Sequence, residues 1–139
     1  MSEKYRNALA TREYQIFLLG LLVMLVHLTE DALVHKENGS SLAAQLGSTA
    51  LNLLLVAIGV AAYPVIWRRV LPLFVLAYGA LALSGGWRAH ASDALAGDAA
   101  GGDYTGTLYA LAGLVLIGLA LKLAADVLRG RTPLRRSEV

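Results

Sequence analysis

The sequence contains no cysteine, and this absence removes several kinds of chemistry at once. Disulfide bonds, thiolate metal sites and cysteine nucleophiles are all excluded. Charged residues are also scarce, at 16% of the 139 residues against about 25% in a typical soluble domain. Hydrophobic residues make up 57% of the chain, which leaves a surplus of apolar surface that needs a lipid solvent. The composition therefore indicates one integral membrane domain covering residues 1–139.

Further absences narrow the range of ligands. The formal net charge is only +2 and basic residues are not interleaved with aromatic ones, so nucleic-acid binding is not expected. Haem held by two histidines is disfavoured, because His27 and His35 share one predicted helix and the later spans contain no histidine. Retinal in its usual form is excluded, since Lys122 is the only lysine near the interior of a span and lies at the inner end.

Four apolar stretches predict an all-α integral membrane protein, arranged as a four-transmembrane-helix bundle. The predicted spans cover about residues 14–35, 42–67, 70–85 and 104–128, with an outer loop at 86–103. The first apolar core, Ile16 to Val26, is too short to cross about 30 Å of hydrocarbon alone. This span must therefore carry its polar residues into the membrane. A cleaved signal peptide is the alternative, but no convincing cleavage site follows the apolar core.

The distribution of basic residues predicts the orientation. Lys and Arg gather in the N-terminal segment, in the turn at 68–69 and in the C-terminal tail. The two other connections hold only Lys36 and Arg88, beside four acidic residues. Because basic residues are retained on the cytoplasmic side, both termini are predicted to be cytoplasmic (N-in, C-in). The expected location is a bacterial inner membrane, with the lipid bilayer as the surrounding partner.

A polar stripe interrupts the first predicted span. His27, Asp31 and His35 follow one another at four-residue spacing, which places them on one helix face about 6 Å apart along the axis. Glu30 lies beside them. Charged groups at this depth cost at least a few kcal/mol when they face lipid. The stripe is therefore predicted to face the bundle interior or a water-filled cleft.

Polar residues elsewhere are predicted to meet this stripe. By the orientation argument, His90 and Asp93 of the outer loop lie on the same side as His35 and would close the site as a lid. The candidate ligand-binding neighbours on the other spans are Asn52, Tyr78 and Asp103.

The preferred hypothesis is an outward-facing pocket that binds a divalent metal ion or a small polar ligand. Histidine nitrogen and carboxylate oxygen suit zinc or copper(II). His27 and His35 are about 12 Å apart along the helix, so they would serve different ions. The candidate metal ligands are His27, Asp31, His35, His90 and Asp93.

Two other interpretations stay open. In one, Glu30, Asp31 and His27 are catalytic acids and bases in a membrane-embedded isomerase or hydrolase, or act in a proton-coupled carrier. In the other, the polar residues only fix the register of neighbouring helices. The chain would then be a non-catalytic subunit of a membrane assembly, either a homo-oligomer or a complex with another protein.

Two smaller patterns concern packing. Lys122 and Asp126 are four residues apart and are predicted to pair. Small residues recur along the fourth span and favour close helix contact, within the monomer or between copies. They are Gly106, Ala110, Gly113 and Gly118.

Overall fold

The structure is a computed structural model that describes residues 2–33, 41–87, 90, 95–97 and 101–130. Within these ranges the chain forms five α-helices and no strand, which confirms the predicted all-α class. The helices are α1 (Glu3–Leu9), α2 (Arg12–Leu33), α3 (Leu42–Ala62), α4 (Leu71–Gly86) and α5 (Gly101–Leu128).

Three of these helices are long and apolar enough to cross a membrane. The qualifying segments are Arg12–Asp31, Leu42–Ala62 and Tyr104–Leu128. α4 is also apolar but has only 16 residues, about 24 Å at 1.5 Å per residue. These lengths are consistent with a multi-pass membrane protein.

α5 is the central helix of the fold. It packs along α4 and against α2, and α2 in turn packs against α3 and α1. The core lies mainly between α2, α4 and α5, whereas on α3 only Gly59 is buried. The largest fully buried side chains are Tyr14, Phe17, Leu21, Met24, Val75 and Leu116.

Glycines allow α4 and α5 to approach backbone to backbone. Gly79 packs against Gly113 and Gly86 packs against Gly106, so each helix contributes two glycines seven residues apart. A Cβ at Gly113 would lie 2.4 Å from a backbone nitrogen of α4, and a Cβ at Gly86 would lie 2.5 Å from the carbonyl oxygen of Gly106. A Cβ at Gly118 would meet nothing within 4 Å. Gly106 and Gly113 of the fourth span therefore make helix contacts inside the monomer, whereas Gly118 does not.

α3 ends before Pro64, several residues earlier than predicted. Proline has no N–H, so the carbonyl of Val60 loses its helical partner there. The Tyr14 Oη of α2 donates to the Val60 carbonyl at 2.9 Å, and the Tyr5 Oη of α1 donates to the Ala61 carbonyl at 3.0 Å. Two tyrosines thus satisfy carbonyls that the end of the helix leaves open.

An ion-pair network joins α2 to α5 at the same end. Lys122 Nζ lies 2.8 Å from Asp126 Oδ2, which confirms the predicted pair. The same ammonium group also binds Glu13 at the start of α2. One lysine therefore holds two carboxylates from different helices.

Candidate functional site

His27 occupies the last core position on the buried face of α2. That face is formed by Phe17, Leu21 and Met24 at spacings of three and four residues, and His27 continues it. Its side chain is 5% exposed, and tyrosines aside it is the only buried polar side chain among the described residues. A buried imidazole needs hydrogen-bonding partners, since burying it unpaired costs free energy.

The first turns of α5 supply these partners. Thr105 Oγ1 lies 3.2 Å from His27 Nδ1, within hydrogen-bonding distance. The ring centroid of Tyr109 lies 4.8 Å from that of His27, with the planes inclined at 31°. Thr105 and Tyr109 are four residues apart, so the helix presents both to α2.

His90 reaches the same point from the connection after α4. Its ring centroid lies 4.9 Å from that of His27, in an edge-to-face arrangement at 86°. The side chain packs over Gly106, where an added Cβ would lie only 2.1 Å from His90 Cγ. A side chain at 106 would therefore displace the ring. His27, His90, Thr105 and Tyr109 are termed the histidine cluster.

The histidine cluster combines two imidazoles and two hydroxyl groups. A neutral imidazole offers one donor and one acceptor nitrogen, so the tautomer of His27 decides whether it donates to Thr105 or accepts from it. Imidazoles also exchange protons near neutral pH. This arrangement can bind a small polar molecule through hydrogen bonds, or hold and transfer a proton.

The structure distributes the predicted stripe over different environments. It brings His27 and His90 into contact, whereas Glu30 is half-buried and Asp31 is exposed. Asp31 lies one turn nearer the end of α2 than His27, which is the last buried residue that the structure describes on this helix. His35 lies outside the described residues.

The predicted metal site is not supported by the part of the chain that the structure describes. There, no three His, Asp or Glu side chains come close enough together to hold a metal ion. Asp31 is exposed on α2, and both His35 and Asp93 lie outside the described residues. Of the predicted metal ligands, only His27 and His90 lie next to each other in the described part of the chain.

Of the three predicted ligand-binding neighbours, Tyr78 lies away from the histidine cluster. Tyr78 Oη donates to a backbone carbonyl of α3 at 2.8 Å, and its ring centroid lies 5.4 Å from that of Phe17. Phe17 precedes His27 by ten residues, about 15 Å along α2. Asn52 is half-buried on α3. Asp103 falls in the first turn of α5, and its side chain is outside the described set.

Sequence reasoning missed Thr105, Gly106 and Tyr109. The sequence does contain a signal for two of them: Thr105 and Tyr109 carry hydroxyl groups four residues apart at the start of the fourth span. In a bundle of alternating helices, the start of the fourth span lies at the same end as the close of the first. That position is level with His27.

No protein-family model, curated protein or solved structure matches this chain. The function must therefore be inferred from the geometry of the histidine cluster and from the distribution of charge.

Proposed function

We propose that this chain is a four-span protein of the bacterial inner membrane, and that the histidine cluster is an outward-facing site for a small polar ligand. Both termini are cytoplasmic in this proposal. Three long apolar helices and the shorter α4 account for the four crossings. The basic residues support the orientation, since they concentrate at the two termini and in the turn at 68–69.

The main evidence for the ligand site is that His27 is buried and contacts a second histidine, His90. A register-fixing histidine needs one hydrogen-bonding partner, and Thr105 alone would provide it. The second ring is not needed for that role, yet the ring centroids of His27 and His90 lie only 4.9 Å apart. Two imidazoles in direct contact beside two hydroxyl groups offer more donors and acceptors than a structural contact requires.

His90 acts as the lid of this site in our proposal. It comes from a connection rather than from a long helix, and it is half-buried where His27 is buried. A ligand that displaced the ring of His90 would gain hydrogen bonds to His27 and Thr105 in its place. Zinc and copper(II) belong among the ligands to be tested, because imidazole nitrogen is a good ligand for both.

The absence of cysteine makes the topology directly testable. Ser2→Cys, Trp67→Cys and Ala96→Cys each introduce a single thiol at an exposed position. A membrane-impermeant maleimide added to whole cells should label only the Ala96 variant, whereas permeabilised cells should give labelling of all three. External labelling of the Ser2 or Trp67 variant would overturn the proposed orientation.

Histidine-selective ¹⁵N NMR in lipid nanodiscs tests the ligand site. The probes are zinc(II), copper(II), ammonium, phosphate, short carboxylates and amino acids. We expect at least one of them to shift the imidazole resonances of His27 and His90 together. His90→Phe should abolish the shift of the His27 resonance, and Gly118→Ala, at an open position on α5, should retain the response of both rings. If no probe moves both resonances, or if His27 in the Phe variant shifts as it does in the parent, the ligand proposal is wrong.

Acid–base catalysis or proton-coupled transport is the second candidate. It is favoured by the direct contact of two imidazoles, with Glu30 half-buried about one turn beyond His27. Proteoliposomes that contain a pH-sensitive dye would reveal proton movement. His27→Gln and Glu30→Gln should each reduce it, and a flux unaffected by either change would refute the proton-transport form of this candidate.

A non-catalytic subunit is the third candidate, and the exposed face of α3 is the surface that a partner would cover. Only Gly59 of this helix is buried, and large apolar residues such as Leu46 and Leu53 remain exposed. Lipid covers such a face as well as a partner does. A native mass above that of the monomer after purification in mild detergent would support assembly, and a monomeric mass would refute it.

A further inference from the structure

A cavity of about 300 Å³ opens at the opposite end of the bundle from the histidine cluster. It lies between α1, the turn that joins α3 to α4, and the C-terminal part of α5. Apolar surface from Tyr63, Leu71 and Leu123 lines its interior, and Lys4 and Arg68 contribute cationic groups. It is termed the inner cavity.

The charges around the inner cavity do not balance. Glu13 and Asp126 also line it, but the ammonium group of Lys122 binds both carboxylates. Lys4 and Arg68 form no ion pair with any residue in the described ranges. Together with Lys122, which lies behind the lining, three cations accompany two carboxylates and leave one net positive charge. Because Lys122 pairs with both carboxylates, Lys4 and Arg68 are available to an anion.

Tyr63 adds a hydrogen-bond donor to this lining. Its side chain is 7% exposed. Burial raises the pKa of Tyr63, with a smaller contribution from the nearby negative charge of Glu13. The phenol therefore stays protonated throughout the physiological range, and it can donate to an anionic oxygen.

The surroundings of the inner cavity have the character of a membrane interface. Trp67 is 66% exposed, and the guanidinium group of Arg69 lies over its ring at 5.4 Å from the centroid. Val65 and Val70 on the same turn are also exposed. Exposed aromatic and basic residues at the ends of membrane helices lie at the level of the lipid headgroups.

We propose that the inner cavity binds the phosphate group of an anionic phospholipid. Lys4 and Arg68 contact the phosphate, Tyr63 can donate a hydrogen bond to it, and the acyl chains run over the exposed apolar residues of the turn. The apolar interior favours a lipid over free phosphate, because it leaves most of the cavity without a polar partner for an inorganic ion. This proposal requires only that the long helices enter a membrane, and it does not depend on the histidine cluster.

Native mass spectrometry of the delipidated full chain in detergent tests the proposal. Phosphatidylglycerol, phosphatidylcholine and inorganic phosphate are added in separate titrations. The site variant is Lys4→Gln with Arg68→Gln. The matched control is Arg6→Gln with Arg69→Gln, which removes the same charge from the same two segments outside the cavity lining. Circular dichroism checks that both variants fold.

Phosphatidylglycerol should bind with a defined stoichiometry and more tightly than phosphatidylcholine. Its affinity should fall about tenfold or more in the site variant, because a hydrogen bond to a charged group contributes at least that factor. The control should change little, and the charge-preserving variant Lys4→Arg with Arg68→Lys should retain binding.

Three results would overturn the proposal. Equal losses in the site variant and the control would show diffuse attraction rather than a site. An unchanged affinity in the site variant would show that the inner cavity is not used. Competition by millimolar inorganic phosphate, with no preference for phosphatidylglycerol, would identify a free anion as the occupant instead of a lipid.

Discussion

Gly106→Ala should expel His90 from the histidine cluster while leaving the helix bundle intact. In the structure, an added Cβ at this position lies 2.1 Å from His90 Cγ and 2.3 Å from His90 Cβ. Ordinary van der Waals contact begins at 3.4 Å, so His90 has to retreat by about 1.3 Å. Rotation of the imidazole cannot provide this, because the Cβ of His90 is itself too close.

The cost in stability should be modest. Overpacking of this kind costs about 1–3 kcal/mol. The replacement of a helical glycine by alanine returns about 1 kcal/mol. The free energy of unfolding should therefore fall by about 0–2 kcal/mol, and the change at the site should be much clearer than the change in stability. Gly118→Ala is the matched control, since its Cβ meets nothing within 4 Å.

The assay follows the two rings directly. In nanodiscs, the parent protein should show a nuclear Overhauser contact between the ring protons of His27 and His90, and Gly106→Ala should abolish it. The buried ring of His27 should also react faster with diethyl pyrocarbonate in the variant, because the His90 ring no longer shields it.

A double-mutant cycle identifies the cause. In a His90→Gly background the clash is absent, so Gly106→Ala should no longer cost stability. If the ring contact survives in Gly106→Ala, or if the stability penalty persists without the His90 side chain, the proposed packing of His90 over Gly106 is wrong.

Three further predictions concern the helix contacts. Gly113→Ala should lower the free energy of unfolding in a detergent titration by about 1–3 kcal/mol relative to Gly118→Ala, because its Cβ collides with the backbone of α4. A stability equal to that of Gly118→Ala would contradict this packing. Tyr14→Phe should lower the free energy of unfolding by about 1 kcal/mol, because the Val60 carbonyl loses its hydrogen-bond donor. An unchanged denaturation midpoint would argue against the Tyr14–Val60 hydrogen bond. Lys122→Gln should lower the free energy of unfolding by up to about 1 kcal/mol at low salt, because its side chain is 51% exposed and its ion pairs are screened by solvent. The loss should shrink in high salt. A salt-independent loss would exclude an electrostatic origin.

The helical class could be predicted because hydropathy alone decides it. A chain with this much apolar surface has to satisfy its backbone within helices, and three segments have the required length. The pairing of Lys122 with Asp126 was equally accessible, because four-residue spacing on one helix is a local property.

The end of α3 and the composition of the histidine cluster depend on contacts between distant segments. Hydropathy continues past Pro64, and the end of α3 depends on whether the orphan carbonyls find partners. Tyr5 and Tyr14 provide those partners from helices far away in sequence. Similarly, Thr105 and Tyr109 become part of a site only when α5 lies against α2. Spacing along α2 overestimated the role of Asp31, because spacing gives the face of a helix and does not show where its packing partners end; Asp31 is exposed near the end of α2.

The shortness of α4 has a consequence for the bilayer. Its 16 residues rise about 24 Å, and His27 stands about 22 Å above the start of α2, so α4 stops level with His27. In the proposed four-span arrangement, a hydrocarbon layer of about 30 Å would be thicker than this short helix is long, and nearby lipid would have to compress by about 6 Å. In that arrangement, acyl-chain length would affect lipid packing at the level of the histidine cluster.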